Sequence, residues 1–256
     1  MTLSILLGTF NRFAHLQRCL EACRTSYSGD KEFIVCDGGS SDGSREWLAA
    51  QPDVVLIGER RLEGAVKAIN RCYGFARGAY VAILNDDIAP EGPALDAAVR
   101  KLESDATIGQ IACPFRTVGE ARPHHVEYVN GLIYANIAVM RRELLDEITK
   151  IQGGVWAPCY RTYGGDTELS CWVHRLGYTV VEESGARFTD WMPQDTLRAE
   201  NHRDQRGVND NRLFWSRWPK PEMLQPFGPT PEVTGAERSA LVQYEDRRRQ
   251  ERGRTA

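Results

Sequence analysis

The sequence predicts an α/β fold in which helices flank a mixed, mostly parallel sheet. In the first half of the chain, short apolar runs alternate with helical patterns, as expected when parallel strands pair through right-handed crossovers. The run Tyr80–Leu84 is apolar throughout, which is typical of a strand buried on both faces. It stops in Asn85-Asp86-Asp87. Ligands of open α/β sheets bind just beyond such strand ends, so we expect a site here.

The first half contains four predicted strands that alternate with three predicted helices. Leu16, Leu20 and Cys23 lie on one face of the first helix. Ser41 or Asp42 is a candidate N-cap for the second helix. The strands are expected at residues 3–7, 33–36, 54–57 and 80–87, and the third helix at residues 64–77.

The second half is less regular and ends in a tail. Helices are predicted at residues 90–104, 141–151 and 166–176, and strands at 108–116, 128–140 and 179–181. We expect one domain over residues 1–218 and a tail over 219–256, because the sequence becomes Pro-rich and then charged. The tail is expected to be partly disordered beyond about residue 230, with a short helix near 235–249 as the alternative.

Composition narrows the class of protein. The chain has 256 residues, of which 42% are hydrophobic, and a net charge of −3. A sizeable core is therefore expected, and a nucleic-acid acceptor is unsupported although left open. The seven cysteines include no Cys-x-x-Cys pair, which favours free thiols in a reducing compartment. We see no signal-like opening and no apolar run of about 20 residues, so we expect a cytoplasmic protein without a transmembrane segment.

Two turns carry candidate chemistry. The carboxylates of Asp86 and Asp87 repel each other, and a hard divalent cation shared with a substrate phosphate would relieve this repulsion. The alternative is a solvated turn. The Gly-rich turn Asp37–Ser44 opens onto a helix N-terminus, but it matches neither the dinucleotide fingerprint nor a Walker loop. An acidic residue in this turn is suited to accept a hydrogen bond from the edge of a nucleotide base or from a ribose. The alternative is an Asx turn with an N-cap.

Taken together, these motifs resemble the nucleotide-binding motifs of family 2 glycosyltransferases, in order and in spacing. The resemblance covers residues 3–218 and implies a GT-A (half-Rossmann-like) fold. Residues 1–87 would bind the nucleotide sugar, and residues 88–218 would shape the acceptor site. The matching stretches are LLGTFNR (6–12), VCDGGSSDGS (35–44), AINR (68–71), LNDD (84–87), YGGDTEL (163–169), RLGY (175–178) and FWSRW (214–218).

The resemblance implies transfer of a sugar, with inversion, from a nucleoside-diphosphate sugar to an acceptor hydroxyl. Asp166 would be the general base. Asp87, with Asp86, would hold Mn²⁺ or Mg²⁺ against the diphosphate, and Asp37 would bind the nucleotide base. The acceptor would be a glycan, a lipid-linked glycan or another hydroxyl compound. The donor-binding residues implied by the resemblance are Thr9, Asn11, Arg12, Asp37, Gly39, Ser40, Asp42, Lys67, Asn70, Asn85 and Asp86.

The chain departs from the family pattern at three places. Asn85 replaces the first aspartate of the metal motif, and Gly165 replaces the glutamate before the base. The histidine that completes the metal site in many relatives is also absent from its usual stretch. Asp190 or His202 would then supply the third metal ligand.

Other interpretations remain open. Acidic residues such as Asp166 and Glu168 favour a first helical turn even without catalysis. Asn85 and Gly165 motivate a non-catalytic nucleotide-sugar-binding or scaffold protein. A nucleotidyltransferase is less favoured, because it usually needs a Gly-rich, basic loop after the first strand, and residues 8–12 offer one Gly and one Arg. The aromatic stretch 214–218 packs on the domain or on a second subunit, which leaves a homodimer open.

Overall fold

The predicted α/β fold with a mostly parallel sheet is confirmed. The computed structural model describes residues 3–203 and 206–254, with no side-chain detail at residues 200–203, 206–207 and 252–254. The strands, in chain order, are β1 (Leu3–Thr9), β2 (Lys31–Asp37), β3 (Val54–Gly58), β4 (Tyr80–Asn85), β5 (Ile88–Pro90), β6 (Ile108–Ala112), β7 (Phe115–Thr117), β8 (Glu127–Val129), β9 (Leu132–Tyr134), β10 (Ala138–Arg141), β11 (Thr179–Glu182) and β12 (Phe188–Asp190).

Helices cover both faces of the sheet. The final α-helix is preceded by a short 3₁₀ helix, Pro221–Leu224. The α-helices are α1 (Phe13–Ser26), α2 (Ser44–Ala49), α3 (Ala65–Tyr73), α4 (Ala94–Ser104), α5 (Arg142–Gln152), α6 (Gly165–Arg175), α7 (Thr196–Arg203), α8 (Arg206–Arg217) and α9 (Gly235–Arg254).

Within the described residues, seven strands form the central sheet in the order β11-β6-β10-β4-β1-β2-β3. β1 pairs in parallel with both β2 and β4, and β2 pairs in parallel with β3. β10 runs antiparallel between β4 and β6, which makes the sheet mixed. A smaller sheet, β5-β12-β7, continues from the end of β4. The carboxyl ends of β1, β2 and β4 therefore lie side by side at one edge.

The core consists of two apolar layers, one on each face of the sheet. Neighbouring strand residues enter opposite layers, as the pleat of a strand requires. Leu6 joins the layer of Ile69 from α3, whereas Leu7 joins the layer of Leu16 from α1. Both leucines are fully buried. Burial on both faces explains why these strands read as continuous apolar runs.

The predicted strand over residues 128–140 is wrong. Asn130 and Gly131 turn the chain back, so β8 and β9 form a hairpin before β10 begins. Both turn residues have positive φ, at 50° and 78°. An Asn-Gly pair is the preferred sequence of a two-residue hairpin turn because both residues tolerate that conformation. The apolar composition on either side of the pair concealed this signal.

The expected partial disorder of the tail is also corrected. Helix α9 packs against α5, with Leu241 and Tyr244 buried in the main core. Glu245 forms an ion pair with the almost fully buried Arg175 of α6. The short helix proposed near 235–249 extends over residues 235–254. A few well-placed apolar residues thus anchor a helix whose composition is mostly charged.

Two residues of the aromatic stretch 214–218 belong to the core of their own chain. Phe214 and Trp218 are buried, and the ring of Trp218 meets that of Trp172 edge-on, with centroids 5.1 Å apart. Trp215 is 44% exposed. The contacts of Phe214 and Trp218 lie within one chain and give no support to a homodimer.

Within residues 3–203 and 206–254, no helix is both long enough and apolar enough to cross a membrane.

Candidate active site

A cavity of about 540 Å³ opens at the carboxyl ends of β1 and β4. The two strands pair in register, with Gly8 opposite Asn85. Thr9 and the run Asn85-Asp86-Asp87 then line the cavity. The volume lies in the range of sites that bind small molecules. The sequence placed its candidate site at this strand end, and the fold forms a cavity there.

Asp86 is buried at the base of the cavity. Its carboxylate accepts hydrogen bonds from Thr9 Oγ1 at 2.8 Å and from Arg12 Nη1 at 3.0 Å. Burial raises the pKa of Asp86 to about 6, the Arg12 charge opposes the rise, and the charge of Asp87 adds to it. Asp86 is therefore an acid whose ionisation depends on neighbouring positive charge.

Arg12 lies between the two acidic residues. Its Nη1 atom is 3.0 Å from Asp86 Oδ1 and 3.0 Å from Asp87 Oδ2, while its Nε is 2.6 Å from Asp195 Oδ2. Burial lowers the pKa of Arg12, but the three carboxylates outweigh it and hold the pKa above its ordinary value. Arg12 was predicted to bind the donor, and here its charge is shared among carboxylates.

Two residues at the start of α7, missed from the sequence, complete this cluster. Arg198 Nη2 is 3.4 Å from Asp87 Oδ2, and the Arg198 backbone N–H donates to Asp195 Oδ1 at 2.9 Å. Asp195 thus caps α7 and also holds Arg12. An aspartate before a helical stretch signals an N-cap. It gives no information on which part of the sheet the helix will cover.

Asp190, predicted as a metal ligand, lies beside Asp87. β12 pairs with β5 so that Asp190 is opposite Ile88, and the Trp191 N–H donates to the Asp87 carbonyl oxygen at 3.0 Å. Burial and the Asp87 charge both raise the pKa of Asp190. The side chain of the alternative ligand, His202, lies outside the described residues.

Asp166, predicted as the general base, lines the same cavity as Asp86 and Asp87. It stands in the first turn of α6, directly after Gly165. Gly164, which precedes the helix, has a φ of 83° and lets the chain enter it sharply. Burial raises the pKa of Asp166. The hydrogen bond that its carboxylate accepts from the Thr167 N–H at 2.8 Å lowers the pKa, but by less. It is therefore a stronger proton acceptor than an ordinary aspartate.

Trp156 explains why glycine precedes the predicted base. A Cβ atom on Gly165 would lie 2.6 Å from Trp156 Cγ, closer than carbon atoms approach. Asn70 fixes the backbone of Trp156, accepting from its N–H at 3.0 Å and donating to its carbonyl oxygen at 2.8 Å. The Trp156 ring thus occupies the space into which the family's glutamate would project.

Glu168, two residues after Asp166, faces away from the cavity and is fully buried. Its carboxylate accepts hydrogen bonds from Tyr160 Oη, from Trp172 Nε1 at 3.3 Å and from Arg217 Nη2 at 2.7 Å. Arg217 also pairs with Glu237 of α9 at 2.6 Å. The two acids of the first turn of α6 therefore lie in different environments, one in the cavity and one in the core.

Asp37 is not exposed to the cavity, although Cys36 and Gly38 on either side of it are lining residues. Its carboxylate accepts from Arg45 Nε at 2.6 Å and from the Ser40 N–H at 3.2 Å. The predicted hydrogen bond to a nucleotide base would require Arg45 to release this carboxylate.

The remaining residues of the Gly-rich turn tie two loops together. The Asn11 N–H donates to Ser40 Oγ at 2.9 Å, and the Phe13 N–H donates to Asp42 Oδ2 at 2.9 Å, at the start of α1. Gly39 has a φ of 91°, which favours glycine. The described contacts of Asn11, Gly39, Ser40 and Asp42 match the Asx-turn alternative. The predicted N-cap of α2 at Ser41 or Asp42 is wrong, because Gly43 takes that position and α2 has no side-chain cap hydrogen bond there.

Lys67 and Asn70 do not lie among the described residues that line the cavity. Lys67 is exposed and pairs at 3.0 Å with Glu63, which lies just before α3. Asn70 is engaged with the backbone of Trp156. Their predicted donor-binding roles therefore gain no support from their positions.

Asp86 and Asp87 are placed so that both could bind the same divalent cation. In residues 3–203 and 206–254, no three His, Cys, Asp or Glu side chains are already arranged around a metal position. However, Asp86 and Asp87 both reach one guanidinium nitrogen at 3.0 Å, so a single cation can contact both. Carboxylate oxygens are the ligands that Mg²⁺ and Mn²⁺ prefer, and Asp190 stands next to Asp87.

A long segment of the chain matches a known protein family. The sequence model described as Glycosyl transferase family 2 matches residues 4–158, which is more than half of the chain. The chain belongs to glycosyl transferase family 2. The matched segment includes the cavity ends of β1 and β4 and stops before Asp166, Asp190 and α7.

Curated relatives match about half of the chain. Chondroitin synthase and hyaluronan synthase of Pasteurella multocida are each 27% identical to it over 131 residues, which is 50% of this chain and 13% of theirs. Chondroitin synthase of Escherichia coli is 27% identical over 118 residues, 44% of this chain and 17% of that protein. The match therefore spans less than a fifth of each relative's length.

Solved structures match over nearly the whole chain. Mannosyltransferase PcManGT from Pyrobaculum calidifontis, in complex with GDP-Man and Mn²⁺, superposes with a TM-score of 0.60 at 18% identity, covering 94% of this chain and 74% of its own. Residues 1–349 of S. aureus TarS give 0.61 at 14% identity, covering 95% and 79%. At these identities the likeness shows the fold, which is GT-A.

Proposed function

We propose that this protein transfers a sugar from a nucleoside-diphosphate sugar to an acceptor hydroxyl, with inversion at the anomeric carbon. The observation that carries the proposal is that Asp166 and the Asp86–Asp87 pair line one cavity. A proton acceptor and a diphosphate site then face the same reaction space. Membership of family 2 and the likeness to a structure with GDP-Man and Mn²⁺ support the same reaction.

Asp87, with Asp86 and Asp190, would hold a divalent cation, Mn²⁺ or Mg²⁺. Such a cation, when bound, stabilises the negative charge that develops on the departing nucleoside diphosphate. Asn85, which also lines the cavity, would offer its amide to the donor in place of the family's aspartate. These assignments use oxygen ligands, as hard cations require.

Asp166 would perform the proton transfer. The acceptor oxygen forms a bond to the anomeric carbon from the face opposite the diphosphate, the carbon–oxygen bond to the diphosphate breaks, and Asp166 takes the hydroxyl proton. A well-placed base contributes about 10²–10⁴-fold to rate. Attack from the opposite face inverts the configuration.

The acceptor is proposed to be a glycan. The curated relatives are named as chondroitin and hyaluronan synthases, and Trp156, Tyr134 and Tyr163 line the cavity. Aromatic rings and the apolar faces of sugars make favourable contacts. An acceptor panel of glycans, lipid-linked glycans and simple alcohols tests this assignment.

The first experiment is calorimetric titration with UDP, GDP and dTDP, each with and without Mn²⁺. We expect one nucleotide to bind, and Asp87→Ala to abolish the Mn²⁺-dependent part of its affinity. Asp166→Asn should then keep nucleotide binding and lose about 10²–10⁴-fold in turnover with the matching donor.

The alternatives give different results. A non-catalytic nucleotide-sugar-binding protein, which Asn85 and Gly165 favour, would bind the nucleotide but show no turnover in the wild type. A nucleotidyltransferase would release pyrophosphate from a nucleoside triphosphate. Failure of the wild type to bind any nucleotide would contradict all three functions.

A further inference from the structure

The carboxylates proposed for the cation are already paired with arginine. Arg12 Nη1 is within 3.0 Å of both Asp86 and Asp87, and Arg198 reaches Asp87 from α7 at 3.4 Å. Both arginines line the cavity. The strand-end acids therefore have resident positive partners supplied from two distant parts of the chain.

Arg12 and a divalent cation compete for one position. A cation bound by carboxylate oxygens lies about 2.0–2.6 Å from them, between the two acids. The Arg12 guanidinium fills that space, since one nitrogen contacts an oxygen of each acid. Two positive groups at this separation would repel strongly, so entry of the cation requires Arg12 to move.

Arg12 and Arg198 both line the cavity in which the donor is proposed to bind. Asp195 holds Arg12 through Nε at 2.6 Å, a contact separate from those that Nη1 makes with Asp86 and Asp87. Because the guanidinium is planar and rigid, it moves as one group when Nη1 leaves the two acids. Arg198 is only partly buried, and its contact with Asp87 is long for a charged hydrogen bond. Guanidinium groups match phosphate oxygens in geometry and charge.

We propose that Arg12 and Arg198 exchange partners: they hold Asp86 and Asp87 until a divalent cation takes these carboxylates, and they then bind the diphosphate of the donor. Asp195 positions Arg12 in the first of these arrangements. The exchange links cation binding to the strength of diphosphate binding. This inference rests on the proposed function, because it assigns the released arginines to the donor of that reaction.

Two ligands test the exchange without any turnover assay. Binding of Mn²⁺ alone is measured by electron paramagnetic resonance of the free ion. Binding of the preferred nucleoside diphosphate is measured by calorimetry in saturating Mn²⁺. For Arg12→Gln, we expect Mn²⁺ to bind about tenfold more tightly and the nucleoside diphosphate about tenfold more weakly, because a lost charge-assisted contact is of this order.

Arg198→Gln gives a second, milder variant in case removal of the buried Arg12 prevents folding. It should weaken the nucleoside diphosphate in the same way, with a smaller gain for Mn²⁺, because Arg198 makes one long contact with the acids. The matching nucleoside monophosphate should lose less than twofold in either variant. Inorganic pyrophosphate should weaken in parallel with the diphosphate, which would assign the effect to the phosphates and not to the nucleoside.

The matched control is Arg24→Gln. Arg24 pairs with Asp53 at 2.8 Å on the surface, away from the cavity, and we expect no change for either ligand. Thermal unfolding confirms that each variant is folded. Weakening of both ligands, or no change in either, would overturn the exchange. A wild type that binds Mn²⁺ but no nucleotide would overturn the proposed function, while the Mn²⁺ titrations would still measure whether Arg12 competes with the cation.

Discussion

Two clusters in this protein use the same chemistry in different surroundings. At the strand ends, Arg12 pairs with Asp86 and Asp87 on the wall of a cavity. Beneath α6, Arg217 pairs with Glu168 and Glu237 inside the core. In each, an arginine pairs with acids that are distant from it in sequence. The strand-end cluster faces a space that a ligand can enter, whereas the core cluster is enclosed by protein.

Hydrogen bonding explains the separate roles of the clusters. Glu168 is bound by Tyr160 and Trp172 as well as by Arg217, so its carboxylate has partners on several sides within the core. Among the described contacts, the Asp87 carboxylate is bound only by the side chains of two arginines, Arg12 and Arg198. An ion pair therefore indicates a binding site when a ligand can replace one partner, and a structural support when it cannot.

The largest effect is expected from breaking the core cluster. Arg217→Leu leaves Glu168 and Glu237 charged and buried, which should lower the free energy of unfolding by about 3–5 kcal/mol. Urea unfolding measures the loss. The control Arg24→Leu breaks a surface pair and should cost about 1 kcal/mol or less. Equal losses in the two variants would contradict the structural role of the core cluster.

A second variant tests the packing between the cavity and the core. Gly165→Glu restores the residue of the family pattern and forces a Cβ against the Trp156 ring. We expect a loss of about 1–3 kcal/mol in the free energy of unfolding. In a Trp156→Ala background, Gly165→Glu should cost less than it does in the wild type, because the small residue opens the space. Additive losses in the double variant would contradict this explanation.

The pH dependence of turnover sharpens the contrast between the two acids of α6. Burial raises the pKa of Asp166 above its ordinary value of 3.8, and a base acts only when ionised. Turnover should therefore be lost as the pH falls through a value higher than 3.8, while the protein stays folded by circular dichroism. An acidic limb at or below 3.8 would contradict the role of Asp166.

The smallest effect is expected at Lys67. This exposed residue pairs only with Glu63 among its described contacts, so Lys67→Ala should change stability by no more than about 0.5 kcal/mol. Nucleotide affinity should also stay within twofold. A larger loss of affinity would restore the donor-binding role that the sequence predicts for it.

The strand-end acids and the parallel strands could be predicted because each depends on local sequence, whereas Asp166, which lines the cavity, is singled out only by the resemblance of its motif. Tyr80–Asn85 reads as a buried strand wherever it is placed, and the acids after it must reach the carboxyl edge. Asp195 and Arg198 could not be predicted, because their position depends on how α7 crosses the sheet. The Arg45 contact that covers Asp37 is likewise set by the fold. Motif order identified the family without revealing these side-chain partners.

The cluster around Arg12 has a consequence for biosynthesis. Thr9 leaves the ribosome nearly two hundred residues before Asp195 and Arg198. Strand β11 and Glu237, which supports the core cluster, also follow β1–β4 by about a hundred residues or more. A growing chain that has made β1–β4 therefore carries exposed acids without all of their partners. The proposed nucleotide would stabilise this protein only after Asp195 and Arg198 have been made, so the segment up to β4 must avoid aggregation without help from that ligand.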